Sequence, residues 1–173
     1  HKWLSWNSHH PNIVPLPVGL DEDIQLQVLR RATSVAPKIE KLLINFKLDR
    51  QERQELFNQV KELPYTHVEP QANKWRNSIN MTSYYQSITH YKWTLCPRGV
   101  GEDTPELWEA LYLGSIPVVL KSAISSLYKG LPVIQLNNWN ELSLEQLQHW
   151  DTQLPRFRNN AYFDHWADVI KAN

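Results

Sequence analysis

A short segment in the middle of the chain combines residue types that bind phosphate groups. Residues 96–104 read CPRGVGEDT and carry two of the five glycines in a chain of 173 residues. Arg98 offers charge-assisted hydrogen bonds to phosphate oxygens, and Gly99 and Gly101 let backbone N–H groups approach a ligand closely. Thr104, followed by a proline, starts a helix whose N-terminus favours an anion. This segment, called the glycine loop below, therefore predicts a phosphate or diphosphate site.

A carboxylate on the helix that follows extends the predicted site. Glu109 lies near the N-terminal turns, where it can accept hydrogen bonds from ribose hydroxyls. A purely structural interpretation stays open, in which the glycines form a tight turn, Glu102 or Asp103 pairs with Arg98, and Glu109 is solvated. The order of strand, loop and capped helix favours the phosphate interpretation.

The glycine loop does not match the pattern of enzymes that bind nicotinamide or flavin dinucleotides. Thr104 stands where the third glycine of G-x-G-x-x-G is expected. About 20 residues further on, where an acidic residue would bind the ribose, the chain has an apolar run that ends in Lys121. This mismatch argues against a dehydrogenase.

The elements around the loop alternate between strand and helix patterns. Strands are predicted at 41–46, 65–68, 91–96, 116–120 and 132–135. Helices are predicted from 21 to the residue before Pro37, from a D-x-x-E start at Asp49, near 78–88, from Thr104 to the residue before Gly114, at 122–128, from Ser143 and near Asn160. Such alternation predicts βαβ units and an α/β fold, a Rossmann-like open parallel sheet of about five strands with helices on both faces. The glycine loop then lies at the carboxyl end of a strand, where such sheets bind ligands.

Composition narrows the range of functions. The chain has 18 basic and 18 acidic residues, so its formal net charge is zero and nucleic acid is not expected as a partner. No apolar run approaches the length of a transmembrane helix. The single Cys96 excludes an internal disulfide framework, and the cytoplasm is the default expectation for its location.

Two stretches around the glycine loop carry a resemblance to a known family. Residues 95–104 and 107–119 read LCPRGVGEDT and LWEALYLGSIPVV. They resemble the signature of exostosin-like glycosyltransferases, C-P-R-G-x-G-x-D-T-x-x-x-W-E-A-L followed by small residues and I-P-V-V. The resemblance implies one half of a GT-B fold, in which residues 21–173 form a Rossmann-like domain that binds a nucleotide sugar. Residues 1–20 lack regular periodicity and are interpreted as an extended arm or linker.

The resemblance also implies roles for individual residues. Arg98 and the backbone of 99–104 would hold the donor diphosphate, with Asp103 and Thr104 near the sugar or the phosphates, and Glu109 would bind ribose. The donor is a nucleoside-diphosphate sugar and the acceptor a carbohydrate; neither a metal nor a further cofactor is expected. The acceptor's general base would come from an N-terminal partner domain, and a eukaryotic member would work in the secretory lumen.

The chain departs from the family pattern at one point. Family members commonly have His-Arg after the Asp-Thr pair, whereas this chain has Pro105 and Glu106. The change removes one phosphate ligand and adds a negative charge. It supports an alternative function, a non-catalytic carbohydrate- or nucleotide-binding module derived from such a domain.

Several further residues have chemistry that would suit a binding site. Trp75 and Trp139 fall in loops expected at the carboxyl end of the sheet, where they would stack on a sugar or a base or else pack in the core. Lys47 and Lys121 follow strands and are minor candidates for phosphate contacts. Cys96 is expected to be a small buried residue rather than a nucleophile.

No pattern in the sequence favours a metal site. Residues 21–23 read DED, similar to the D-x-D of metal-dependent glycosyltransferases, but acidic residues are common where a helix begins. His9 and His10 lack a second pair of ligands at useful spacing.

Overall fold

The structure is a computed structural model, and it describes residues 16–19, 37–69 and 80–155. Within these residues, strands and α-helices alternate along the chain. They are β1 (Ile39–Ile44), α1 (Gln51–Val60), β2 (Thr66–Val68), α2 (Met81–His90), β3 (Tyr91–Leu95), α3 (Pro105–Tyr112), β4 (Ile116–Leu120), β5 (Ile134–Leu136) and α4 (Leu144–Gln153). Short 3-10 helices, Ser125–Tyr128 and Trp139–Glu141, precede β5 and α4.

The strands form one open sheet in the order β2-β1-β3-β4-β5, and every pair is parallel. Leu43 of β1 lies opposite His67 on one side and Thr94 on the other. The chain passes from β1 outward to β2 and then returns across β1 to β3, so the strand order reverses between β1 and β3. Open parallel sheets bind ligands beyond the carboxyl ends of their strands at such a reversal. The predicted α/β fold, a five-stranded parallel sheet with helices, is confirmed.

Alternate residues of β1 show how the helices cover the two faces of the sheet. Leu42 and Ile44 pack in a buried cluster with Leu56 of α1 and Leu147 of α4. Leu43 points to the other face, in a cluster with residues of α2 and α3. Because side chains alternate along a strand, α1 and α4 lie on one face and α2 and α3 on the other.

The helix predicted from Asp49 begins two residues later than its D-x-x-E pattern suggests. Arg50 occupies the N-cap position of α1 and makes no side-chain capping hydrogen bond, so the predicted capping box is wrong. The Asp49 carboxylate lies 3.8 Å from the Arg53 guanidinium instead. The Asp49 carboxylate therefore pairs with the buried Arg53 and does not cap α1.

Three other elements differ from their predicted bounds for local reasons. The helix expected from about residue 78 begins at Met81, because the Asn80 side chain accepts a hydrogen bond from the Ser83 N–H at 3.2 Å and caps it. The last strand begins two residues after Pro132, which has no N–H to donate. The helix expected at 122–128 is a 3-10 helix over Ser125–Tyr128.

Some predictions fall on residues that the structure does not describe. Of the predicted arm 1–20, only 16–19 are described, and they have no regular secondary structure. The predicted helices at 21–36 and near Asn160, and the Trp75 loop, lie outside the described residues. In the part of the chain that the structure describes, no helix is both long enough and apolar enough to cross a membrane.

Candidate functional site

The glycine loop connects β3 to α3 at the carboxyl edge of the sheet, beside the point where the strand order reverses. Its first residues are anchored, because the Cys96 N–H donates to the Val118 carbonyl at 2.9 Å. Cys96 and Thr104, its two ends, are buried, whereas Arg98 and Val100 are exposed. The sheet therefore fixes both ends of the loop and presents its centre to solvent.

A buried arginine beneath the loop holds its backbone in place. The Arg53 side chain donates from Nε to the Arg98 carbonyl at 2.8 Å and from Nη2 to the Pro97 carbonyl at 3.0 Å. Nη1 donates to the Lys47 carbonyl, which follows β1, at 3.3 Å. One guanidinium thus joins the segments that follow β1 and β3, the two strands at the reversal.

Sequence reasoning missed Arg53, although a signal was present. Residues 53, 56, 57 and 60 share one face of α1, and the last three are apolar. A charged residue on an otherwise apolar helical face is seldom buried without partners. Its position one turn into a helix that follows a strand placed it near the carboxyl edge.

Gly99 lies close to the Arg53 side chain, which a larger residue at this position would crowd. A Cβ at Gly99 would lie 3.1 Å from Arg53 Nη2, whereas a Cβ at Gly101 would meet nothing nearer than the Asp103 carbonyl at 3.5 Å. Among the described glycines, positive φ occurs at Gly19, Gly114 and Gly130 but at neither loop glycine. Gly99 therefore makes room for a side chain, and the loop does not need a left-handed backbone.

Arg98 has two carboxylate partners, Glu102 and Glu52. Its Nη1 lies 3.3 Å from Glu102 Oε1, and its Nε lies 3.5 Å from Glu52 Oε2. The Arg98 side chain is 43% exposed, and ion pairs in such a position are weak. The pairing with Glu102 anticipated by the structural interpretation is present, and an incoming phosphate would compete with it.

Asp103 is occupied by donors from within the chain. Its carboxylate accepts from Trp108 Nε1 at 2.9 and 3.0 Å, from the Val18 N–H at 2.6 Å and from the Tyr128 hydroxyl at 3.5 Å. Burial raises the pKa of Asp103 despite these hydrogen bonds, which act in the opposite direction. Asp103 thus connects Val18, in the segment 16–19, to the glycine loop.

Glu109 lies in the interior and not at the surface. Its side chain is fully buried; Oε2 accepts from the Tyr84 hydroxyl at 3.0 Å and Oε1 from the Tyr85 hydroxyl at 3.3 Å. Both tyrosines belong to α2, so Glu109 joins α2 to α3. The predicted contact between Glu109 and ribose stays a prediction. For that contact to form, ribose hydroxyls would have to replace the Tyr84 and Tyr85 hydroxyls as donors to Glu109.

A cavity of about 560 Å³ opens beside the loop at the carboxyl ends of β3 and β4. Cations, carboxylates and aromatic rings share its walls, among them Arg53, Arg98, Glu102, Lys121, Tyr128 and Trp139. The Lys121 ammonium donates to Asn137 Oδ1 at 2.9 Å. The cavity brings together three of the predicted candidates, Arg98, Trp139 and Lys121. Gly99, Gly101, Asp103 and Thr104 belong to the loop that borders it.

The structure also describes the environment of Cys96 and the groupings of potential metal ligands. Cys96 is buried, and burial raises the pKa of its thiol well above the usual value, so the thiol stays protonated. In residues 16–19, 37–69 and 80–155, no group of three or more potential metal ligands lies close enough together to hold an ion.

Comparison with known proteins places the chain in a family. The family model described as the RXYLT1 C-terminal domain matches residues 44–168, most of the chain. The chain belongs to this family. A similar curated protein is ribitol-5-phosphate xylosyltransferase 1 of Mus musculus, 26% identical over 155 residues that cover 76% of this chain and 35% of the mouse protein. The chain thus spans about a third of the length of that relative, and both matches support a glycosyltransferase-like family.

Proposed function

We propose that this member of the RXYLT1 C-terminal domain family binds a nucleoside-diphosphate sugar at the glycine loop and acts as the donor-binding part of a glycosyltransferase. The observation that carries the proposal is the geometry of the loop. Arg53 holds the Pro97 and Arg98 carbonyls, and the exposed Arg98 side chain borders a cavity at the carboxyl ends of β3 and β4. An exostosin-like GT-B enzyme is the specific type that the sequence signature favours.

The proposed chemistry is electrostatic. When the sugar departs, negative charge develops on the leaving diphosphate. Arg98, the backbone N–H groups of residues 99–104 and the N-terminus of α3 would stabilise that charge without a metal ion. Trp139, on the cavity wall, offers a flat face for a sugar or a base. The acceptor's general base would be supplied by a partner domain.

Titration calorimetry tests this proposal. The protein is titrated in EDTA with uridine, guanosine and adenosine diphosphates and with sugars linked to them. Because the mouse relative is named a ribitol-5-phosphate xylosyltransferase, donors that carry xylose come first, and ribitol-5-phosphate is the first acceptor to add.

The Arg98→Ala substitution should weaken binding of the nucleoside diphosphate about 10- to 100-fold, because a charge-assisted contact is lost. Lys61→Ala is the matched control, since Lys61 directly follows α1 at the opposite edge of the sheet and pairs with Asn58. Equal affinities for wild type and Arg98→Ala, or no binding by wild type, would contradict the proposal.

The non-catalytic module is the second candidate, and one local observation favours it. Glu106 adds a carboxylate to the first turn of α3, and Glu52 and Glu102 already pair with Arg98. Negative charge there opposes a diphosphate. Binding of a free oligosaccharide together with no binding of any nucleoside diphosphate would favour the module over the transferase.

A further inference from the structure

Asn45 follows the last residue of β1, at the carboxyl edge of the sheet and at the strand-order reversal. Its neighbours in the sheet are known from the register. Leu43, two residues earlier, lies opposite His67 and Thr94, so Asn45 falls level with Glu69 and with Cys96 at the start of the glycine loop. Asn45 therefore lies between the segments that follow β2 and β3, next to Cys96, which lines the cavity beside Arg98.

The Asn45 side-chain amide is buried and makes no hydrogen bond with the described part of the chain. The residue is 7% exposed, and neither Oδ1 nor Nδ2 has a hydrogen-bond partner in the chain as described. The other buried side-chain N or O atom without a partner in the described ranges is Trp93 Nε1, which lies in the apolar cluster on the α1 face. The indole ring of Trp93 fills a large volume in the core, which explains why a tryptophan is there despite its unpaired N–H. Leucine has nearly the same shape as asparagine, so volume does not explain an asparagine at position 45.

An unsatisfied buried amide lowers stability, and an apolar side chain of the same shape would avoid that loss. Residues that cost stability in this way concentrate at functional sites. Asn45 also lies on the face of the sheet that α2 and α3 cover. Leu43 packs with α2 and α3, and Ile44 packs on the opposite face. Because side chains alternate along the chain here, Asn45 is on the same face as Leu43. This is the face on which α3 starts.

The chemistry of the amide selects one part of a donor molecule. Oδ1 accepts hydrogen bonds and Nδ2 donates them, whereas a diphosphate only accepts. A diphosphate would leave Oδ1 unsatisfied. Ribose hydroxyls and the carbonyl and N–H groups of a base both donate and accept, so they complement both ends of the amide.

We propose that Asn45 hydrogen-bonds the nucleoside part of a nucleoside diphosphate. The inference rests on the proposed function and adds to it a residue and the portion of the ligand that the residue contacts. Both amide atoms are shielded from solvent, so a bound nucleoside must displace the side chains that cover them. The amide then gains in the complex the partners that it lacks alone.

The test separates stability from binding in one variant. Asn45→Leu removes the polar atoms and keeps the shape. Ligand-free Asn45→Leu should melt at a higher temperature than wild type. Its Kd for the nucleoside diphosphate that wild type prefers, among uridine, guanosine and adenosine diphosphates, should rise about 10- to 100-fold. Its Kd for inorganic pyrophosphate, which lacks the nucleoside, should stay within about twofold of wild type.

Two further variants keep the test decisive. Trp93→Phe removes the other unsatisfied donor on the opposite face and should leave both affinities unchanged. Asn45→Ala removes the amide without adding apolar bulk, and it should show the same selective loss if Asn45→Leu does not fold. Unchanged nucleotide affinity in both Asn45 variants, as expected for an amide that binds only internal water, overturns the inference. So does an equal loss for pyrophosphate. No binding of any nucleoside diphosphate by wild type overturns the proposed function itself.

Discussion

At the scale of single residues, the main feature of the candidate site is the pairing of Arg98 with nearby carboxylates. Its guanidinium faces two carboxylates, Glu102 at 3.3 Å and Glu52 at 3.5 Å, and Arg98 is the one cationic residue of the glycine loop. The structural interpretation of the sequence is seen in these ion pairs. Under the proposed function, a phosphate would compete with the two carboxylates for Arg98.

The substitution Glu102→Gln should tighten binding of a nucleoside diphosphate about 2- to 5-fold, because an exposed ion pair of modest strength no longer competes for Arg98. Calorimetric Kd values at low salt measure the effect, and it should shrink in concentrated salt, which screens the charges. Glu62→Gln, with the same charge change next to Lys61 at the far edge of the sheet, should leave the Kd unchanged. Identical affinities for Glu102→Gln and wild type would show that the pair does not compete.

At the scale of elements, the site depends on the packing of α1 under the glycine loop. The strands and helices were predictable because apolar periodicity, Pro64 and Gly114 mark their ends locally. The contact between α1 and the loop was not. It joins residues more than 40 positions apart through one side chain, Arg53, and no local pattern specifies which carbonyls a buried guanidinium will find.

Gly99→Ala should lower the free energy of unfolding by about 1–2 kcal/mol, because the new Cβ would lie 3.1 Å from Arg53 Nη2. Gly101→Ala should be near neutral, since its Cβ would make an ordinary contact at 3.5 Å. Urea denaturation of both variants measures the difference.

A double-mutant cycle assigns the cost of Gly99→Ala to the contact with Arg53. Arg53→Met retains bulk but leaves three backbone carbonyls without their donor, and it should itself cost about 3 kcal/mol. In that background, Gly99→Ala should lose at least half of its effect. An undiminished cost would mean that Gly99 is needed for a reason other than the guanidinium.

At the scale of the whole molecule, Asp103 links parts of the chain that are 85 residues apart. Its carboxylate accepts from the Val18 N–H at 2.6 Å and also from Trp108 of α3. The sequence predicted Asp103 as a contact to sugar or phosphate and residues 1–20 as a separate arm. A partner that lies so far away in the sequence could not be inferred from local patterns. The contact between Asp103 and Val18 is seen only in the folded structure.

The burial of Asp103 makes stability depend on pH in a specific direction. Burial raises the folded-state pKa of Asp103 above its ordinary value of 3.8. Between these two pKa values the folded state binds more protons than the unfolded state, so the contribution of Asp103 to stability falls as pH rises through that window. The slope should stay below about 1.4 kcal/mol per pH unit, the limit for one proton.

Comparison of wild type with Asp103→Asn isolates this contribution, because asparagine does not titrate. The free energy of unfolding of wild type minus that of the variant, from urea denaturation at pH 4, 5, 6 and 7, should decrease with rising pH. Glu141→Gln supplies a control of opposite sign, since hydrogen bonds from Asn137 lower the pKa of Glu141 and its contribution should be lost as pH falls. A wild-type minus Asp103→Asn difference that rises with pH would mean that the hydrogen bonds from Val18, Trp108 and Tyr128 outweigh burial. Asp103 would then be held as a carboxylate at the base of the glycine loop.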